Sequence, residues 1–254
     1  MSIPPYHWWR TVFFLIPAIG LYTIVLGSIS IASSLVDRTG FFAHRCARAW
    51  SWLILVTTGV EVEVLGVERL TPGRTYIFVS NHQSIYDIPI IFWHLPWQLR
   101  IIAKKSLGSF PFLGWHLSRT GHLLVDRKRP DPIGVLKRWK GLVSRGLSLI
   151  VFPEGTRSAD GKVGRFKGGG FLLAIQAGLP LVPVSVSGSR HVMLKGRLMT
   201  CPGRVRLTVH DPVPTEGLEP TVEGAKALAA RVRDTVVQAV DEPGRASSHA
   251  LPRS

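Results

Sequence analysis

The chain is short of cysteine, of acidic residues and, near its start, of charge of either sign, and each shortage excludes something. Only Cys46 and Cys201 occur in 254 residues. They stand far apart without metal-ligand spacing, so neither a disulfide framework nor a zinc site is expected, and a reducing, cytosol-facing setting fits. Asp and Glu number 16 against 31 Lys and Arg, which leaves a net charge of +15. An excess of that size calls for an anionic partner: nucleic acid, anionic lipid headgroups or a phosphorylated molecule. No Gly-x-Ser-x-Gly elbow is present, so the usual serine nucleophile is not on offer. No internal repeat is visible either.

What is present is apolar. Hydrophobic residues make up 46% of the chain and charged residues 19%, with a mean hydropathy of +0.21. That is too apolar for disorder and greasier than an ordinary soluble protein, which points to a membrane surface. Residues 11–36 carry no charge at all, and a helix of that length rises about 39 Å against a hydrocarbon core of about 30 Å. Tyr6, Trp8, Trp9 and Arg10 precede the run as interface anchors, while Arg38, Arg45 and Arg48 follow it and place the rest of the chain in the cytoplasm by the positive-inside bias. A signal peptide would have a shorter apolar core. Pro17, Gly20, Gly27 and the serines at 28, 30, 33 and 34 leave two forms open, a tilted span or a bent, re-entrant helix pair. Residues 49–60, with Trp50 and Trp52, are too few to cross and are expected to form a helix lying in the interface.

Beyond Val60 short apolar runs alternate with helical patterns. Strands are expected at 60–67, 75–80, 99–103, 121–126, 148–152, 181–187 and 204–210, and helices at 84–94, 107–118, 131–144, 168–177 and 221–240. This is the rhythm of an α/β fold with a mostly parallel or mixed sheet flanked by helices. The chain thus divides into N-terminal membrane-anchoring helices (1–58), an α/β domain (59–240) and a polar, frayed tail (241–254).

Two loops stand out. The strand at 75–80 runs into Asn81-His82-Gln83-Ser84-Ile85-Tyr86-Asp87, which places a histidine just past a strand's C-terminal edge, where α/β proteins bind ligands, and an aspartate about one helical turn on. A carboxylate on one imidazole nitrogen leaves the other free to take a proton from a hydroxyl. Taken alone, the same residues also read as a helix cap with a solvated Asp, and His94, His116 and His122 carry no stronger signal than that. The second loop, Phe152-Pro153-Glu154-Gly155-Thr156-Arg157-Ser158, follows another apolar strand and brings a carboxylate, a glycine, a hydroxyl and a guanidinium together. Arg suits a bidentate grip on phosphate, although Pro and Gly in such a place also make an ordinary turn. Gly121-His122-Leu123-Leu124-Val125-Asp126-Arg127 lies between the two loops and Leu179-Pro180-Leu181-Val182-Pro183-Val184 follows them.

In this order, the four segments resemble the blocks of the glycerolipid acyltransferase family, most closely the lysophosphatidic acid acyltransferases. The segment Ala103-Lys104-Lys105-Ser106-Leu107 with Pro111-Phe112-Leu113-Gly114 is similar to the family's stretch between its first two blocks, and the likeness covers roughly residues 60–190. The resemblance implies an enzyme that moves an acyl chain from acyl-CoA or acyl carrier protein onto the sn-2 hydroxyl of lysophosphatidic acid, without a metal, a bound cofactor or a covalent acyl-enzyme; within the same family, glycerol 3-phosphate, another lysophospholipid or an acylated amine lipid is the alternative acceptor. It implies His82 as general base and Asp87 as its orienter. Glu154, Gly155, Thr156 and Arg157 are then expected to hold the glycerol phosphate, with Arg127 and Lys104 adding positive charge. The charge distribution agrees, since residues 97–170 hold 15 Lys and Arg against 4 Asp and Glu, a net +11 of the chain's +15. A nucleic-acid partner is not expected, because most of the eight tryptophans fall in the first 52 residues or in apolar context. Membrane lipids are the expected surroundings.

Overall fold

The computed structural model describes residues 5–37, 39–126, 129 and 131–241. Its first element is one continuous helix, α1 (Tyr6–Ser33), about 42 Å long at 1.5 Å per residue. A π-helical turn, Thr11–Leu15, sits in it just before Pro17. Proline has no N–H to give to the carbonyl four residues back, and its ring crowds that carbonyl, so a widened turn lets the helix pass through Pro17 unbroken. A tight turn follows, and α2 (Phe41–Thr58) runs back along α1. Arg10 Nη2 donates to the Thr57 carbonyl at 2.9 Å and Trp50 Nε1 to Thr23 Oγ1 at 3.0 Å, which fixes the pair as an antiparallel hairpin.

The hairpin is tied to the rest of the chain near both ends of α1. Near the start of α1, Thr11 Oγ1 accepts the Thr200 N–H at 2.9 Å; near its end, Ser30 Oγ meets His116 Nδ1 at 2.6 Å. Those two points are about 28 Å apart along the helix. The helix expected at 49–60 is longer than that and begins at Phe41. Residues 49–58 are the second half of α2, whose Ala43, Cys46, Ser51, Ile54, Leu55 and Thr58 recur at helical spacing and are buried, and Ile54 and Leu55 share a core with the sheet.

Seven strands follow: β1 (Val60–Leu65), β2 (Ile77–Ser80), β3 (Leu99–Lys104), β4 (Leu123–Val125), β5 (Ser148–Val151), β6 (Leu181–Ser187) and β7 (Gly203–Val209). All seven fall where the apolar runs predict them. They form one sheet in the order β1-β7-β6-β2-β5-β3-β4, parallel throughout except where β6 meets β7 antiparallel. The central strands are buried on both faces, which is why they read as continuous apolar runs. Phe78, Ile150, Val182 and Val184 pack toward the hairpin and α3 (Asp87–His94). Ile77, Val79, Leu149 and Val151 pack toward α5 (Pro132–Val143), α6 (Gly169–Ala177) and α8 (Val222–Asp241). The last of these helices buries Ala225, Leu228, Ala229, Val232 and Val236 along one stripe.

The expected helix at 107–118 is shorter than the pattern suggests. A 3₁₀ turn covers Lys105–Ser109, the chain is extended at Phe110, and α4 begins only at Leu113 (Leu113–Arg119). Pro111 is the cause, since the residue before a proline is pushed out of the helical region. A short helix, α7 (Ser189–Val192), was not foreseen. Of the expected tail, residues 242–254 lie outside the described residues.

The topology sets the position of any site. Neighbouring strands β2 and β5 send their connections opposite ways: β2 leads over to β3 on one side, β5 to β6 on the other. The crevice above their C-terminal ends is the switch point at which such sheets bind ligands. Both loops singled out in the sequence open into it.

Candidate active site

Asn81 anchors the loop that follows β2. It is fully buried, its Oδ1 accepts the Val186 N–H and its Nδ2 donates to the Val186 carbonyl, both at 2.8 Å. A single amide thus takes both hydrogen-bonding groups of a residue on β6. Asn81→Leu, nearly isosteric, leaves that N–H and C=O unpaired inside the protein. The expected cost is about 2 kcal/mol, read as a thermal midpoint lower by roughly 4–8 °C in the solubilised protein. An unchanged midpoint would show that the pair contributes nothing.

His82 comes next, held at its backbone and its ring alike. Its N–H donates to Glu154 Oε1 at 2.8 Å, its carbonyl accepts the Ser158 N–H at 2.7 Å, and its ring stacks on Phe152 with centroids 4.2 Å apart. Nδ1 lies 2.8 Å from Asp87 Oδ2. That oxygen also receives the N–H groups of Gln83 at 2.7 Å and Ser84 at 2.9 Å, so it is an acceptor and the ring nitrogen facing it carries the proton. Asp87 is fully buried in the first turn of α3, where a negative charge is favoured. Nε2 of His82 is left as the basic lone pair of a ring that is 15% exposed.

The loop at 152–158 is sewn to the His82 loop. Glu154 spends one oxygen on the His82 amide and the other on the Gly164 amide at 3.1 Å. Burial pushes its pKa up, and the two amides pull against that shift. Glu154 thus holds the two loops together, and it also lines the basin formed by the residues that follow it. Gly155 has a φ of +74°, a conformation that strains any residue with a side chain, and a Cβ there would come within 2.9 Å of Lys167 Nζ. Thr156 and Arg157 face outward. They line a polar basin of about 340 Å³ together with Lys162, Arg165 and Lys195. Lys195 Nζ donates to the Arg157 carbonyl at 2.7 Å and to Thr156 Oγ1 at 3.2 Å. Among the described residues no carboxylate pairs with the Arg157 guanidinium.

Lys104 ends β3 at the same edge of the sheet and is exposed, with no hydrogen bond to the loops. Arg127 lies outside the described residues. Lys195, Lys162, Arg165 and Lys167 belong to no motif, and only the excess of positive charge in this part of the chain hinted at some of them. Asn81 stood beside His82 in the sequence, so its signal was present.

On the other side of the catalytic loop, an apolar cavity of about 180 Å³ opens between the hairpin, α3, β3 and α4. Ile85, Ile88 and Pro89, which flank Asp87, form its near wall; Gly27, Cys46 and Trp50 come from the hairpin. Phe112, the single non-glycine residue at positive φ among the described residues, closes it against Gly27. His116 and His122 line its inner part and are structural, as their lack of sequence signal suggests. His122 Nδ1 accepts the Ile101 N–H at 3.1 Å, His116 Nδ1 meets Ser30, and burial pushes the pKa of His116 down to about 4 and that of His122 well below its usual range.

Comparison with known proteins agrees with this geometry. The acyltransferase family model matches residues 61–187. The 1-acyl-sn-glycerol-3-phosphate acyltransferase alpha of Bos taurus is 37% identical over 203 residues, covering 77% of this chain and 69% of that protein. The 1-acyl-sn-glycerol-3-phosphate acyltransferase of Saccharomyces cerevisiae is 33% identical over 229 residues, covering 89% and 74%. Among solved structures, the 1-acyl-sn-glycerophosphate (LPA) acyltransferase of Thermotoga maritima superposes with a TM-score of 0.78 at 28% identity, over 94% of this chain and 98% of that one.

Proposed function

The chain belongs to the acyltransferase family, and we propose that it transfers an acyl group from acyl-CoA or acyl carrier protein to the sn-2 hydroxyl of lysophosphatidic acid, giving phosphatidic acid. The observation that carries this reading is the position of His82. Its ring is locked by Asp87 at the mouth of a crevice with a basic basin on one side and an apolar cavity on the other.

The chemistry follows from that arrangement. His82 Nε2 takes the proton of the sn-2 hydroxyl as its oxygen attacks the thioester carbonyl. The imidazolium is stabilised by Asp87 through the Nδ1 hydrogen bond. Collapse of the tetrahedral intermediate breaks the C–S bond, and the departing thiolate takes the proton from Nε2, returning the ring to its starting state. A thioester is already activated, so neither a covalent acyl-enzyme nor a bound cofactor enters the cycle. The acceptor's phosphate sits in the basin against the Arg157 fork, beside Thr156 and Lys195. Lys104 adds charge at the same edge, and Arg127 is given the same role on its motif alone. The acyl chain of the thioester fills the apolar cavity, whose near wall is built on the catalytic helix itself. The test is transfer by the purified protein of label from each donor, acyl-CoA and acyl carrier protein, to lysophosphatidic acid. Failure with both donors rejects the reading.

The hairpin holds the enzyme in the cytoplasmic face of the membrane. Phe13, Phe14, Leu21, Ile24, Val25, Phe41, Phe42, Trp52 and Val56 are all exposed on it. What supports an embedded hairpin over a span is the tie of α1 to the α/β body at Thr11 and again at Ser30, because a helix bound near both ends cannot leave that body to cross a bilayer. The protein is expected to stay with membranes through high salt and alkaline carbonate alike. Release by salt alone would mean that basic charge, not the apolar hairpin, does the binding.

A further inference from the structure

We infer that Arg233, on the C-terminal helix and outside every motif described above, is a positioning residue for His82. The inference rests on His82 being the base. Arg233 Nη2 donates to the Val163 carbonyl at 2.9 Å and Nε to the Gly164 carbonyl at 2.8 Å, so its fork clamps two consecutive carbonyls. The Gly164 N–H belongs to the same planar peptide as the Val163 carbonyl and points the opposite way. It donates to Glu154 Oε2 at 3.1 Å, and Glu154 Oε1 receives the His82 N–H at 2.8 Å. An unbroken line of hydrogen bonds therefore joins the guanidinium to the backbone of the base through one peptide and one carboxylate.

Among the described residues, that peptide has no hydrogen bond besides those to Arg233 and Glu154. Residues 159–167 form no helix or strand, so no ladder sets the direction of the Gly164 N–H. Val163 and Phe166 are buried against the core that receives α8, but apolar burial fixes where the segment lies without fixing which way a peptide faces. The fork supplies the missing direction. A cation on the carbonyl also polarises the peptide, which strengthens its N–H as a donor to Glu154. Glycine at 164 eases the approach, because a Cβ there would stand 3.0 Å from Glu154 Oε2 and press on the carboxylate. Arg233 has only a loose ion pair, 3.7 Å, with Asp234 on its own helix, so the two carbonyls are its principal partners. Burial of Glu154 works against its charge, and the Gly164 amide is one of two that sustain it, so a misdirected peptide weakens the grip on His82 as well as on the loop.

A double-mutant cycle in the full-length, solubilised enzyme tests this. Turnover with lysophosphatidic acid and a thioester donor is measured for Arg233→Ala, Arg233→Lys, Glu154→Gln and Arg233→Ala with Glu154→Gln, each with its thermal midpoint. Gln keeps the size of Glu154 but turns an NH₂ toward one of the two amides. Arg233→Ala is expected to lower kcat about tenfold, the kinetic equivalent of one charge-assisted hydrogen bond. Arg233→Lys, which reaches one carbonyl, falls between it and the wild type. In the Glu154→Gln background, removing Arg233 costs less than about a further twofold, because the path is already cut. If the two losses multiply in the double variant, or if Arg233→Ala keeps kcat within about twofold of wild type, the residue does not act through Glu154 and the inference is wrong. Should the alanine variant fail to fold, Arg233→Lys and Arg233→Gln go through the same cycle under the same criterion. The coupling is read from the cycle alone, whereas the base assignment fails separately if His82→Ala stays active.

Discussion

His82→Ala lowers kcat by about 10²- to 10⁴-fold, the contribution of a positioned base, while the protein stays folded and membrane-bound. The fold tolerates the loss because the ring sits at the mouth of the crevice, partly exposed, with Asp87 as its polar ring partner. Asp87 keeps two backbone amides when the ring is gone, so no buried charge is stranded. Membrane retention is expected to be unaffected, since most of the exposed large apolar side chains are on the hairpin, which the substitution leaves intact. Asp87→Asn should follow closely. An asparagine can still accept the two loop amides through its oxygen, but it no longer provides the charge that stabilises an imidazolium, and its NH₂ favours the wrong tautomer if it turns toward the ring. Turnover by His82→Ala above about a tenth of the wild-type kcat would falsify the general-base role.

Arg157→Ala raises the KM for lysophosphatidic acid by about 10- to 100-fold, the worth of one or two hydrogen bonds to a charged group, and leaves the KM for the acyl donor nearly unchanged. Arg157→Lys raises it less, because an ammonium keeps the charge but loses the fork. The loop itself should survive both changes, for it is its backbone that is anchored. The Arg157 carbonyl is held by Lys195, the Ser158 amide by His82, and Glu154 by two amides. Thermal midpoints of the same samples check that point, since an arginine that merely tied down its loop would lower the midpoint and kcat whichever substrate is varied. Equal increases in both KM values, or an equal loss of rate with a neutral lysolipid analogue, would end the phosphate assignment.

The strands, the order of the two candidate-site loops and the His82–Asp87 pair were all legible before any fold was known, for one physical reason. Each is written in residues close together in the chain: apolar runs of strand length, and a histidine and aspartate five positions apart across a single turn. The hairpin shows where such reading stops. An uncharged run at 11–36 is equally long for a span and for a helix laid against a protein, and its contacts with Thr200 at one end and His116 at the other could not be read from the run itself. Glu154 shows the same limit in chemistry. Three residues before Arg157 it reads as part of a phosphate grip, and only the fold shows that its oxygens also join His82, 72 positions earlier, to Gly164.

The sequence by itself thus determined the α/β class, the acyltransferase family and which residues are candidates for the chemistry, because those rest on local patterns and on motifs whose spacing survives folding. The tertiary structure decided the rest: the strand order that puts β2 beside β5, the docking of the hairpin that encloses the apolar cavity, the cations of the basin, and the tie from Arg233 to His82. Each of these depends on which distant segments meet when both faces of the sheet are buried, and periodicity along a chain records that a face is apolar without recording what will cover it.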